Sequence, residues 1–234
     1  MGIFRPSSSP THNTPSESAI LNEFASLLSA GGSEVTVVPE IQRVKFGKNM
    51  WNGVLGASAA LSRCSLREFF RPPHLAPGRE GSAPDFDPQA RANPEIPLTE
   101  SEKVTVAIPH ASPAIGQYSI PFLYDALSEV YSLGAILFPP TSDASTSPSN
   151  PTRSENASGL DPEVAYKTLA NTAKLHARPD STHMPSMLMD IEAGRPMEVE
   201  HVIGEVVRMG RRAGVSMPVR LRSTISMIDV PSSG

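Results

Sequence analysis

Apolar residues recur at helical spacing in several separated stretches of the chain, with proline-rich polar tracts between them. Ile20, Phe24, Leu27 and Leu28 fall at steps of three and four, the repeat of one helix face. Thr14-Pro15-Ser16-Glu17 ahead of them has the capping-box form: a threonine N-cap, a proline at the first helical position and a glutamate three residues after the cap. The spacing predicts a helix to about Ala30, stopped by Gly31-Gly32. Val35–Val38 is a β-rich run that predicts one strand, and a short strand at Gly2–Arg5 is expected before the helix.

The next pattern predicts a long helix from about Glu40 to Leu61. Ile41, Val44, Met50, Trp51, Val54 and Leu55 form its apolar face, and the small-residue run Gly56–Ala60 closes it. A shorter helix is expected at Ser65–Arg71, where Pro72-Pro73 stops it. Residues 72–97 hold seven prolines without a hydrophobic period, which reads as a loop or flexible insert. Val104–Ile108 fits a short strand or an apolar turn. Another helix is expected at Ile120–Phe138, burying Phe122, Leu123, Leu127, Val130, Tyr131, Ile136 and Leu137. Pro139–Gly159, rich in Ser, Thr, Pro and Asn, is a second flexible tract.

Asp161-Pro162-Glu163 restarts order with an N-cap and a first-turn proline, leading into a helix at Val164–Ala177 with Leu169, Ala173 and Leu175 on its apolar side. The stretch after it resolves into a helix at about Pro185–Glu192, a turn at Gly194-Arg195 and a helix opened by Pro196. Val199, Val202, Ile203, Val206 and Met209 are the buried stripe of that last helix, and Gly214 ends it. The pattern contains no internal repeat.

Composition narrows the function. Twenty-four prolines in 234 residues make the packed part shorter than the chain. A net charge of −4, with no basic run longer than Arg211-Arg212, argues against a nucleic-acid surface. One cysteine, Cys64, excludes an internal disulfide and a cysteine-rich metal site; it reads as a packing residue in a reducing compartment. No run of about 20 apolar residues is present, Met1–Pro15 is polar and proline-broken, and the expected location is the cytoplasm without membrane association. Asn156-Ala157-Ser158 fits the glycosylation pattern but carries no weight without a secretory signal. His176, His183 and His201 lack metal-ligand spacing, so no metal is expected.

Candidate chemistry begins with Lys48-Asn49-Met50-Trp51-Asn52. An ammonium and a carboxamide at i and i+4 stack on one helix face, although a solvated lysine beside an incidental asparagine gives the same pattern. Downstream, Ser186-Met187-Leu188-Met189-Asp190, Glu192–Glu198 and Gly204–Pro218 form a long gap-free stretch. This stretch resembles the C-terminal helical domain of the ketopantoate reductase family, 2-dehydropantoate 2-reductase, in its "SML.D", "EAGRP.E" and "GEVVR.G...GV..P" pattern. Lys48, Trp51 and Asn52 match the family's "K..WN" context in the right order.

The resemblance implies a mostly α chain whose C-terminal domain is of the 6-phosphogluconate dehydrogenase C-terminal-like type, preceded by a truncated α/β (Rossmann) remnant. On that basis residues 1–39 are the remnant, 40–218 the helical domain with inserts at about 72–103 and 139–160, and 219–234 a disordered tail. The implied activity is NADPH-dependent reduction of 2-dehydropantoate, or a related 2-oxo acid, to the 2-hydroxy acid in pantothenate biosynthesis. Lys48 would be the general acid, since reduction of a ketone leaves an alkoxide that needs a proton. Asn52 and Ser186 would bind substrate, and Glu198 would lie near the cofactor and pair with the lysine. Locally, Ser186 also reads as a helix cap and Glu198 as a carboxylate favouring a helix N-terminus. Trp51, Met184, Met187 and Met189 read as packing.

Two departures from the family pattern matter. The sequence has no GxGxxG turn, the element that seats a dinucleotide pyrophosphate on a helix N-terminus, so the activity is expected to be incomplete. Gly56 stands where bacterial members often place a further substrate-binding asparagine. The expected partners are a small 2-oxo acid, with a homodimer or a separate nucleotide-binding chain. The competing expectation is a non-catalytic helical module for dimerisation or partner binding.

Overall fold

A computed structural model describes residues 1–3, 12–70, 103, 115–139, 159–176 and 181–218. The expected segment at Val104–Ile108, the tract at 72–97 and the tail at 219–234 lie outside the described residues, as does most of the tract from 139 to 159. The described part is helical: α1 (Pro15–Ala30), α2 (Ile41–Trp51), a first π turn (Asn52–Gly56), α3 (Ala57–Ser62), α4 (Leu66–Phe70), a middle π turn (Ile115–Ser119), α5 (Ile120–Leu137), α6 (Val164–His176), α7 (Ser186–Glu192), a last π turn (Glu200–Gly204) and α8 (Glu205–Arg212). These helices fall into two compact units, residues 1–48 with 134–160 and residues 49–133 with 161–234.

In the first unit the capping box forms as the sequence predicts. The Glu17 amide donates to the Thr14 hydroxyl, and the Glu17 carboxylate accepts from the Thr14 amide at 2.7 Å. The predicted strand at Val35–Val38 does not form, and no strand occurs among the described residues. Its backbone groups are taken by other partners. The Val38 amide donates to the Met1 carbonyl at 2.9 Å, while Asn13 donates its side-chain amide to the Val38 carbonyl and its backbone amide to the Pro39 carbonyl. Both backbone groups of Val38 are thus engaged outside any ladder. Glu40, buried just ahead of α2, lies 3.5 Å from the Arg43 guanidinium and 3.8 Å from the His12 ring. The end of α5 packs here through Gly134. A Cβ at that position would stand 2.6 Å from both Leu160 Cδ2 and Phe46 Cε1, and the Phe46 ring packs on Phe138 with centroids 5.5 Å apart.

The second unit is built on small residues. Gly53, Gly56, Ala57, Ala59 and Ala60 are all buried, and their size lets helix backbones approach closely. Ala57 and Ala60 cluster with Met187, Ile203 and Val207, and Ile191, Met197, Val199 and Val202 close over them. Two glycine stops finish the elements. Gly194 (φ 65°) lets the Arg195 amide reach back to the Asp190 carbonyl at 2.8 Å, and Gly214 (φ 69°) lets Val215 reach the Gly210 carbonyl at 2.9 Å. Met217 then folds under Gly210, where an added Cβ would lie 2.2 Å from its sulfur.

Other expectations need correcting. The helix predicted over 40–61 is divided into α2, the first π turn and α3. The helix expected to open at Pro196 begins with the Glu198 carbonyl, which accepts from the Val202 amide at 2.9 Å. Phe122 and Ile136, expected to be buried, are 46% and 55% exposed: an apolar residue at helical spacing locates a face, but the width of the buried stripe depends on what packs there. Among the described residues α5 alone is long and apolar enough to cross a membrane. Its buried Ile120, Leu123, Ala126, Leu127, Val130 and Leu133 form a one-sided stripe, the pattern of a core helix.

Candidate functional site

Lys48 is exposed in the last turn of α2 and is the final residue of the first unit's opening segment. Asn52 is half-buried and begins the first π turn four residues later. The backbone is right-handed at Trp51 (φ −60°, ψ −53°), between Lys48 of the first unit and Asn52 of the second.

Asn52, Ser186 and Glu198 belong to the second unit. The first π turn packs against α7, whose first residue is Ser186, and against the last π turn, which follows Glu198. Gly56 sits at this junction, and a Cβ on it would meet Pro185 Cβ at 3.8 Å. Glycine therefore leaves room beside the start of α7, where the family's asparagine would place a carboxamide. Ser186 is not a helix cap: Pro185 occupies the N-cap position with no side-chain hydrogen bond, and Ser186 is exposed. Glu198 is exposed at the head of the last helical segment.

Two of the three π turns among the described residues thus adjoin candidate site residues and pack on each other. A π turn widens the helix and shifts its hydrogen-bond ladder, and such turns concentrate at functional sites. A residue that the sequence reading passed over supports this junction. Asn49 donates its side-chain amide to the Val202 carbonyl, inside the last π turn, at 3.2 Å. Its only sequence signal is a second carboxamide within the same five residues.

Behind Asn52 lies a polar and aromatic ladder. The Trp51 indole N–H donates to the Thr172 hydroxyl at 3.0 Å, and that hydroxyl donates to the Thr168 carbonyl at 2.6 Å. The Trp51 ring meets His183 with centroids 5.7 Å apart, and His183 meets His176 at 5.6 Å. His176 is buried and its Nδ1 lies 2.8 Å from the Ser181 hydroxyl. Burial, with a smaller contribution from the neighbouring His183, pushes the His176 imidazole below the ordinary histidine range. On α8, Glu205 is held below the usual carboxylate range by hydrogen bonds from Arg212 and then Arg208, a solvated ion-pair network. Among the described residues no group of three or more His, Cys, Asp or Glu is arranged to hold a metal.

Residues 119–228 match the family described as ketopantoate reductase PanE/ApbA C terminal. Among solved structures, the chain is similar to a 2-dehydropantoate 2-reductase from Methylococcus capsulatus, with 17% identity and a TM-score of 0.55 over 92% of this chain and 48% of that one. It is also similar to a D-mandelate dehydrogenase solved as a ternary structure with NADH and anilino(oxo)acetate, with 15% identity and a TM-score of 0.55 over 92% of this chain and 49% of that one. No curated protein matches. The chain spans about half the length of the solved structures it resembles. The resemblance read from Ser186 to Pro218 holds, and the fold is the mostly helical C-terminal domain of the ketopantoate reductase type. Ser186 and Glu198 lie inside the matched residues; Lys48 and Asn52 lie before them.

Proposed function

We propose that the chain carries the substrate-binding and proton-donating residues of an NADPH-dependent 2-oxo acid reductase acting on 2-dehydropantoate or a close analogue. The observation that carries this reading is the junction in the second unit, where the segments bearing Asn52, Ser186 and Glu198 meet through two π turns. Reduction of a ketone requires a hydride, which a nicotinamide cofactor supplies in this family, and a proton. An ammonium such as Lys48 favours the developing alkoxide and can donate the proton. The Asn52 carboxamide and Ser186 hydroxyl suit the hydroxyl and carboxylate oxygens of a small 2-oxo acid, and the Glu198 carboxylate can accept from hydroxyl or amide groups of the cofactor.

The residues present do not fit a whole dinucleotide. The sequence has no GxGxxG turn; of the positive-φ glycines among the described residues, Gly32, Gly194 and Gly214 each follow a helix, and Gly159, ahead of α6, has no second glycine near it in the sequence. No hydride step is therefore derived from these residues. In this reading the pyrophosphate cradle lies outside these residues.

The test is calorimetric titration of the purified chain with 2-dehydropantoate, with and without NADPH. Saturable binding that weakens at least about tenfold in Asn52→Ala, and weakens also in Lys48→Ala, is the expected result. A folded chain that binds no 2-dehydropantoate even with NADPH present overturns it. The second reading, a non-catalytic dimerisation or partner-binding module, is favoured by one observation: Ile20, Phe24 and Leu27 on α1 are 65%, 53% and 67% exposed.

A further inference from the structure

Trp51 immediately precedes Asn52, and His183 lies three residues before Ser186. The two candidate substrate-binding residues are therefore attached to the two partners of one aromatic contact. Each end of the ladder is anchored. At one end the indole N–H is fixed by Thr172, which is buried and has its own proton committed to the Thr168 carbonyl. At the other, His176 is 1% exposed and held by the Ser181 hydroxyl. Arg67 of α4 donates to the Ser181 carbonyl at 3.4 Å, so the same residue that binds the imidazole is also capped by a guanidinium.

The surroundings disfavour positive charge on His176. Among the described residues no carboxylate is hydrogen-bonded to either imidazole. The charged group facing the pair from α4 is Arg67, while Glu68 of the same helix is exposed and engaged by the Ser65 hydroxyl. On α6 itself Lys174 is exposed. An imidazolium at His176 loses its buried neutral setting, and the His183 ring, in contact with both, links it to the indole.

We propose that Trp51 is a positioning residue for Asn52, held in place by Thr172 and by the His183–His176 contact, and that proton uptake at His176, passed on through the His183 ring, shifts the indole and weakens substrate binding. The part of this inference that concerns Asn52 rests on the reductase reading; the part that concerns the indole does not. The direction in pH follows from His176. Its folded-state value lies below that of the unfolded chain, so the arrangement is fully stable above the ordinary histidine value of about 6.5. That stability is lost as pH falls from there through the folded value.

The chain contains one tryptophan, so its emission reads this contact without a label. The experiment titrates the full chain from about pH 8 to 5 by tryptophan emission and, in parallel, measures 2-dehydropantoate affinity with NADPH by calorimetry. A single emission transition, abolished in His183→Gln, is expected, with affinity falling about tenfold over the same window in the wild type and staying flat in His183→Gln. His183 is exposed, so this variant leaves the core untouched. Thr172→Val releases the indole and is expected to red-shift the emission while keeping the transition. An emission transition that survives His183→Gln overturns the assignment to the pair. A transition lost in that variant while wild-type affinity stays flat overturns the positioning role. Absence of 2-dehydropantoate binding at every pH overturns the reductase reading and the Asn52 part with it, while the emission arm still decides the indole part.

Discussion

Helices α1 and α3 carry apolar residues at helical spacing, yet they use them in opposite ways. In α3 the buried apolar residues are the alanines Ala57, Ala59 and Ala60, each at most 2% exposed, with Ala57 and Ala60 packed on Met187, Ile203 and Val207, while its one large apolar residue, Leu61, is 38% exposed. α1 carries several large ones, of which only Leu21 is buried, while Ile20, Phe24 and Leu27 are more than half exposed. The size of an apolar side chain is therefore a poor guide to its burial here. Small residues are buried because they let backbones meet, and the large ones of α1 form a face with nothing on it among the described residues. The two helices also differ in what fixes them. α1 is fixed locally by its capping box, whereas α3 is fixed by long-range packing, so substitutions should act on them with different strength.

The largest effect is expected in the α3 surroundings. Ile203 is fully buried against Ala57, Ala60, Met187 and Val207, and Ile203→Ala should destabilise by about 2–5 kcal/mol, since the alanines around it are too short to fill the cavity. Urea unfolding measures this directly. A loss below about 1 kcal/mol would mean that the cluster relaxes freely, and the contrast with α1 would collapse. A smaller effect is expected at Gly134 in the first unit. Alanine gains about 1 kcal/mol of helix propensity there, but its Cβ would stand 2.6 Å from Phe46 Cε1, an atom of a ring already packed on Phe138. Overpacking of this kind costs about 1–3 kcal/mol, so Gly134→Ala should be destabilising by about 1 kcal/mol overall. A stabilised variant would show that Phe46 can move aside.

The same contrast explains what was legible in the sequence. Local signals held: the Thr14–Glu17 box, the glycine stops at Gly194 and Gly214 and the helix of Ile120–Leu137 are each specified within a few residues. Signals that depend on a distant partner did not. Val35–Val38 has strand composition, but Asn13 and Met1 take its hydrogen bonds. The π turns at Asn52–Gly56 and Glu200–Gly204 carry no local mark beyond their glycines, because they answer to each other across a helix contact. For the candidate site, the motif and the resemblance pointed to Lys48, Asn52, Ser186 and Glu198. The residues around them, Asn49, Thr172, His176 and Ser181, act through partners five to 153 positions away. Spacing along one chain segment cannot reveal such pairings.

The smallest effect on stability, and the sharpest test of the comparison, belongs to the exposed face of α1. Phe24→Ser combined with Leu27→Ser removes two large apolar side chains that are 53% and 67% exposed. Serine and phenylalanine have similar helix propensity, and the capping box lies more than two turns away, so each change in unfolding free energy should stay within about 0.5–1 kcal/mol. Association should respond instead. Contiguous exposed apolar residues favour self-association, and the double variant is expected to sediment as a smaller species than the parent at equal concentration. Two outcomes would redraw the comparison. A marked loss of stability would mean that α1 is buried by something in solution and is as dependent on packing as α3. Unchanged sedimentation with unchanged stability would mean that the stripe is inert, and the dimerisation reading would lose the one observation that favours it.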